Sequence, residues 1–223
     1  MPRSKAFDRV LTKHGRVDAL VNNADIAGPG AVAETPLDFF RRVTETNYFS
    51  ALRCIKAALP RMLARRAGCI VNVSSVSGRV AFAPQAPYAA SKYALEAMSE
   101  CLAQEIRAFN IRVALVEPGP IATSALGKFR GAQPQTAYPQ GRRLAALLAA
   151  VLKQPTSPYE VGEQIRQIIE SGSWQLRYPA GNALNVFKWR ARTSDEDWIS
   201  LHAGSDSEWA AAVKRGLGLD VAL

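Results

Sequence analysis

Three residues in this chain have the types and spacing to do chemistry together: Ser75, Tyr88 and Lys92. The tyrosine follows the serine by thirteen positions, and the lysine follows the tyrosine by four. Residues four apart on a helix share a face, so a phenol and an ammonium can stand side by side. Ser75 follows CIVNVS, a short apolar run that reads as a buried strand. A hydroxyl at a strand end would then face the helix that carries the pair. A free phenol has a pKa near ~10, and a neighbouring cation favours its ionised form. A phenol tuned towards neutrality is a usable general acid or base, and the serine could hold the oxygen of an alcohol or ketone. A Tyr-x-x-x-Lys pair is common on helices; the serine at this distance makes it informative.

Further motifs stand in order around these three. They are Asn22-Asn23-Ala24, Asn47 inside TNYFS, Ser75 inside NVSSVSG, Tyr88-Ala-Ala-Ser-Lys92, and Pro118-Gly119-Pro-Ile121-Ala-Thr123. In order and separation, from about residue 5 to residue 125, they resemble the short-chain dehydrogenases/reductases. That resemblance implies an enzyme using NAD or NADP. Tyr88 would be the acid/base, and Lys92 would lower the phenol pKa and hold the nicotinamide ribose. Ser75 would polarise the substrate oxygen. Ser74 is its rival, and the thirteen-residue spacing selects Ser75. Asn47 would hold a water that relays protons to Lys92. Cofactor contacts would come from Asn22, Ala24, Tyr88, Lys92, Pro118, Gly119, Ile121 and Thr123, with Asn22 mainly tying neighbouring strands.

Composition narrows the alternatives. At 223 residues and 48% hydrophobic, the chain reads as one globular domain with a real core. The three cysteines, Cys54, Cys69 and Cys101, form no CxxC, and an odd count argues against a disulfide framework. A reducing, cytoplasmic setting is expected. Two histidines exclude a histidine-rich metal site. The formal charge of +9 would suit nucleic acid, but the arginines are spread along amphipathic segments, so an ordinary solvated surface is expected. No apolar run reaches the ~18 residues of a membrane span. No G-x-S-x-G surrounds Ser75, which disfavours a serine hydrolase.

The elements that must position these residues can be read in order. A helix over 4–14 stops at Gly15, and VDALVNN (17–23) is a strand. Thr35-Pro36-Leu37-Asp38 reads as a cap, a first-turn proline and an acid, opening a helix to about Ala67 with a break near Pro60 and an end at Gly68. Strand 69–74, loop 75–85, helix 86–109 and strand 112–117 follow. Helical runs over 140–153 and from the capping box at Ser157 to Gly172 precede a strand at 174–179 and short helices over 182–216. Short apolar strands alternating with helices predict an α/β fold with a parallel sheet.

The fold expected is a partial Rossmann-like parallel sheet of about four strands flanked by helices, the β-α-β-α-β part that opens the family being absent. Residues 1–223 would be one truncated domain, with 119–223 giving the substrate lid and C-terminal segments. In the family, a glycine-rich turn lets backbone approach the cofactor pyrophosphate. Gly28-Pro29-Gly30-Ala31-Val32-Ala33 formally fits G-x-G-x-x-A, but no helix opens directly on it. It reads as the loop under the nicotinamide side instead. Asp25 stands where the family pattern has glycine, adding a carboxylate beside the expected cleft. Strand 17–23 would be an apolar edge open to pairing, so a homo-oligomer is expected. Leu126, Phe129, Tyr138 and helix 140–153 would cover an apolar substrate.

The reading that follows is an NAD(P)-dependent oxidoreductase interconverting a secondary alcohol and a ketone or aldehyde. Its substrate would be a small hydrophobic alcohol or carbonyl compound, with no nucleic acid and no membrane span involved. The alternatives are a non-catalytic homologue serving as a binding or oligomerisation partner, or a fragment of a longer enzyme with a misassigned start.

Overall fold

The computed structural model describes residues 5–123, 138–153 and 155–223, with side chains from residue 7 onward. Helix α1 (Lys5–His14) ends at Gly15, whose φ of 75° is open to glycine at little cost. Strand β1 (Ala19–Asn22) leads through a loop to α2 (Leu37–Thr44), a π-helical turn (Glu45–Phe49) and α3 (Ser50–Arg65). Then come β2 (Gly68–Val73), α4 (Ala86–Ile106) and β3 (Ile111–Pro118). The second half holds α5 (Gln140–Val151), α6 (Pro158–Ser171), β4 (Arg177–Ala180), α7 (Ala183–Ala191), α8 (Asp195–Ser200) and α9 (Asp206–Leu217).

The four strands form one parallel sheet in the order β1-β2-β3-β4. The sequences GCIVNV and IRVALVEP are almost continuously apolar, as strands covered on both faces must be. Alternation sorts their side chains. Ile70, Ile111 and Val113 pack against Ile55 and Met62 of α3 and Leu102 of α4. Cys69, Val71, Ala114 and Val116 pack against Val161 and Ile168 of α6. Each fully buried aliphatic side chain contributes about 1.5–3 kcal/mol, so these two layers outweigh any surface pair.

Three local expectations are corrected. Thr35 does not cap α2; its hydroxyl donates to the Ala31 carbonyl at 2.7 Å and fastens the preceding loop. Pro60 does not break α3, which runs through it to Arg65. The irregularity falls earlier, at the π-helical turn, which has no signature in residue type. Gly68 does not end α3 either. Arg66 does, in the left-handed conformation at φ 53°, and Gly68 already belongs to β2. The capping box at Ser157 and Glu160 stands as expected, and α6 ends at Gly172.

The C-terminal helices are tied to α5 by one buried cation. Arg143 donates to the carbonyls of His202 and Gly204 at 3.1 and 2.6 Å and pairs with Asp206 at 2.9 Å. Trp189 and Trp198 meet edge to face at 5.0 Å, closing the layer over Val76, Val80 and Val186.

Candidate active site

A cavity of about 650 Å³ opens beyond the C-terminal ends of β1, β2 and β3. That is where open parallel sheets bind ligands. One side is apolar: Leu144, Leu147, Leu148 and Val151 of α5, with Phe82 and Val186. The other side is polar and holds Ser75, Tyr88, Asn23 and Asp25.

Each polar group arrives on a defined element. Ser75 leaves β2 in extended backbone, and its oxygen accepts from the Ser77 amide at 3.1 Å, starting a short 3₁₀ turn. Tyr88 and Lys92 lie one turn apart in the first half of α4, which opens with Pro87 in its first turn. Ser75 and Tyr88 line the cavity together, and the Ser75 hydroxyl lies close enough to the phenol to pull its pKa down. The Tyr88 hydroxyl donates to Asp25 Oδ2 at 3.4 Å. Lys92 is only 2% exposed; its ammonium donates to the Val73 carbonyl at 2.9 Å and pairs with Asp25 Oδ2 at 3.1 Å. The expected serine, tyrosine and lysine therefore converge on one place. Ser74 is buried nearby with its hydroxyl unpartnered among the described residues.

Asp25 overturns the expected electrostatics. The sequence predicts a phenol lowered by Lys92. Instead burial pushes the Tyr88 phenol above its ordinary value, the Asp25 carboxylate pushes the same way, and only the Ser75 hydroxyl opposes them. Burial pushes Lys92 down, while Asp25 and then Glu96 hold it up. The reason is geometric: the carboxylate that partners the ammonium also sits on the phenol, so the phenol sees a neutralised pair rather than a bare cation.

The remaining expected residues divide. Pro118, Gly119, Ile121 and Thr123 line the cavity. Gly119 allows a close approach, since a Cβ there would fall 1.9 Å from Asn182 Oδ1. Asn22 points to the opposite face and donates to Asn72 Oδ1 on β2 at 2.7 Å, and Asn72 in turn donates to Ser99 of α4 at 2.8 Å. Ala24 is exposed, between two residues that line the cavity. Strand alternation held the missed signal: Val21, Asn23 and Asp25 share the cavity face, so Asn23 and Asp25 are the residues to name. Asn47 is buried in the π-helical turn, and its amide is committed to the Ile26 N–H at 2.8 Å, the Ile26 carbonyl at 2.9 Å and Ser91 Oγ at 2.9 Å. It thereby pins the backbone beside Asp25. Tyr138 is exposed and precedes α5, whereas Leu126 and Phe129 lie outside the described residues.

The glycines at 28 and 30 serve packing. A Cβ on Gly28 would meet the Phe39 ring at 2.9 Å, and one on Gly30 would meet Thr35 Oγ1 at 2.2 Å. Gly30 donates to the Pro84 carbonyl, not to the cavity. No group of His, Cys, Asp and Glu among the described residues could hold a metal ion, and no helix there is long and apolar enough to cross a membrane.

This combination of parallel sheet, strand-end cavity and convergent serine, tyrosine and lysine defines a Rossmann-like α/β oxidoreductase fold. Residues 3–134 match the family model described as short chain dehydrogenase, and the chain belongs to that family. It is 31% identical over 202 residues to an uncharacterized oxidoreductase of Schizosaccharomyces pombe, covering 89% of this chain and 85% of that one. Bovine retinol dehydrogenase 8 is 39% identical over 173 residues, covering 73% of this chain and 55% of the relative. A short-chain dehydrogenase structure from Streptomyces avermitilis superposes with a TM-score of 0.75 at 34% identity, over 95% of this chain and 74% of that one. A structure of NAD+-bound xylitol dehydrogenase gives 0.66 at 25% identity, over 78% of this chain and 71% of that one.

Proposed function

We propose that this protein is an NAD(P)-dependent oxidoreductase that interconverts a secondary alcohol and a ketone or aldehyde. The observation that carries the reading is the convergence of Ser75, Tyr88 and the Asp25–Lys92 pair, with Tyr88 bonded to Asp25, at the polar end of an apolar cavity. A nicotinamide cofactor bound there would supply or accept the hydride. The NAD+ in the similar xylitol dehydrogenase supports that choice. The residues at the nicotinamide end suit it: Tyr88 and Asn23 on one side, and the Pro118–Ile121 turn with Thr123 on the other. Gly28 and Gly30 do not supply a phosphate cradle, because both are packed on Phe39 and Thr35.

In this reading Tyr88 gives a proton to the carbonyl oxygen, or takes one from the alcohol. Ser75, held by the Ser77 amide beside Tyr88 in the cavity lining, polarises that oxygen. Lys92 holds the ribose side, its ammonium 5.6 Å from the centre of the Tyr88 ring. Asn47 supports the site by fixing Ile26 and Ser91, and through Ser91 the backbone of Tyr88. The apolar α5 side takes a hydrophobic substrate body, which the likeness to retinol dehydrogenase 8 also supports. Residues 1–223 are read as one domain, in which 119–223 would give the substrate lid and the C-terminal segments. Unpaired cysteines suit a reducing compartment. β1 is an edge of the described sheet, which supports self-association.

Fluorescence titration with NADH and NADPH, followed by turnover on hydrophobic secondary alcohols and ketones, tests this. Micromolar affinity with turnover is expected. No binding at millimolar cofactor would leave the non-catalytic alternative standing.

A further inference from the structure

The carboxylate on Lys92 belongs to the chain itself. Asp25, Tyr88 and Val73 line the cavity, and the Lys92 ammonium touches all three, with Asp25 the one charged group among them, at 3.1 Å. The Asp25 side chain is 29% exposed against 2% for Lys92, so one end of the pair already touches solvent. The backbone next to it cannot yield easily, because Asn47 grips both the N–H and the carbonyl of Ile26. The short Asp25 side chain has two torsions of its own, and rotation about them needs no backbone movement. An ion pair formed this way competes for the same donors that a ligand hydroxyl would use.

We propose that Asp25 is a built-in gate over Lys92. Its carboxylate occupies the seat on the ammonium, and a hydroxyl-bearing ligand reaches that seat only when the Asp25 side chain turns out to solvent. The gate rests on the reading above insofar as the ligand is a nicotinamide cofactor. Removing the carboxylate should uncover Lys92 and, by withdrawing the group that holds its proton, leave more of it as the reactive free amine.

The test uses the full chain with Asp25→Asn, which keeps the side-chain size, and Asp25→Gly. Two quantities are read: NADH affinity by fluorescence, and acetylation of Lys92 by acetic anhydride, scored by mass spectrometry against exposed Lys56. The gate predicts NADH binding about tenfold tighter in both variants and severalfold faster Lys92 acetylation. Unchanged acetylation overturns it, and so does a parent that measurably binds NADH with the same affinity as the variants. Faster acetylation with no NADH binding in any of the three proteins supports the gate and removes the cofactor reading instead.

Discussion

Two charges are buried in this molecule under opposite terms. Lys92 is 2% exposed and has close partners: the Val73 carbonyl at 2.9 Å and Asp25 at 3.1 Å. Glu117, at the end of β3, is fully buried, and neither carboxylate oxygen has a hydrogen-bond partner among the described residues. Arg79 and Arg177 each stop 3.6 Å away, beyond hydrogen-bond reach. Arg177 is drawn off by Glu96 at 3.0 Å and Glu100 at 2.6 Å. Burial and the neighbouring Glu96 push the Glu117 carboxyl up to about 7, against the pull of Arg79 and Arg177. The comparison teaches what each charge is for. The lysine is balanced by a carboxylate that itself lines the cavity. The glutamate half-surrenders its charge where no ligand reaches, so its effect must appear as stability.

The largest break in this comparison should come from Tyr88→Phe, which leaves both buried charges in place. Turnover should fall by about a thousandfold while NADH affinity stays near that of the parent. Steady-state kinetics with a cofactor titration would check it, and a variant keeping most of its rate would take the acid/base role from Tyr88.

Glu117→Gln should do the reverse, sparing kinetics and changing stability. A carboxyl whose folded value is raised stabilises fully below its unfolded value near 4.5, and that contribution is lost as pH rises through about 7. The parent should therefore lose about 3 kcal/mol of unfolding free energy from pH 4.5 to 8 that the glutamine variant keeps. Denaturant unfolding at both pH values measures this. Parallel pH slopes would show that the Glu117 carboxyl is not the group responsible.

Asn22→Ala should have the smallest effect. It removes the donor to Asn72, itself fully buried, and leaves that amide oxygen unpaired. About 1–2 kcal/mol of stability should go, with cofactor affinity unchanged. A weakened NADH affinity at constant stability would return Asn22 to the cofactor's neighbours.

Much of the site was legible in the sequence because it lies on regular elements. Helical spacing brought Tyr88 to Lys92, and a strand end delivered Ser75 to them. The direction of Asp25 was harder, since it depends on how the chain leaves β1 and on the grip of Asn47 twenty-one residues away from Ile26. Period-two counting from Val21 would still have put it on the cavity face. Glu117 was hidden for another reason. It reads as the polar end of RVALVE, and only the docking of β4 with Arg177 reveals that it is enclosed. The π-helical turn at Glu45–Phe49 was illegible because an extra residue in a helix changes hydrogen bonding and not composition.

Arg143 has a consequence for what the cavity will admit. Leu144, Leu147 and Leu148 form its apolar wall, and the preceding residue is moored to His202, Gly204 and Asp206. A bulkier guest that pushes this wall outward must drag the carboxy-terminal helices with it or tear a guanidinium from its carbonyls. Tolerance for guest size is thus set some sixty residues downstream of the wall itself, by a mooring that never touches the guest.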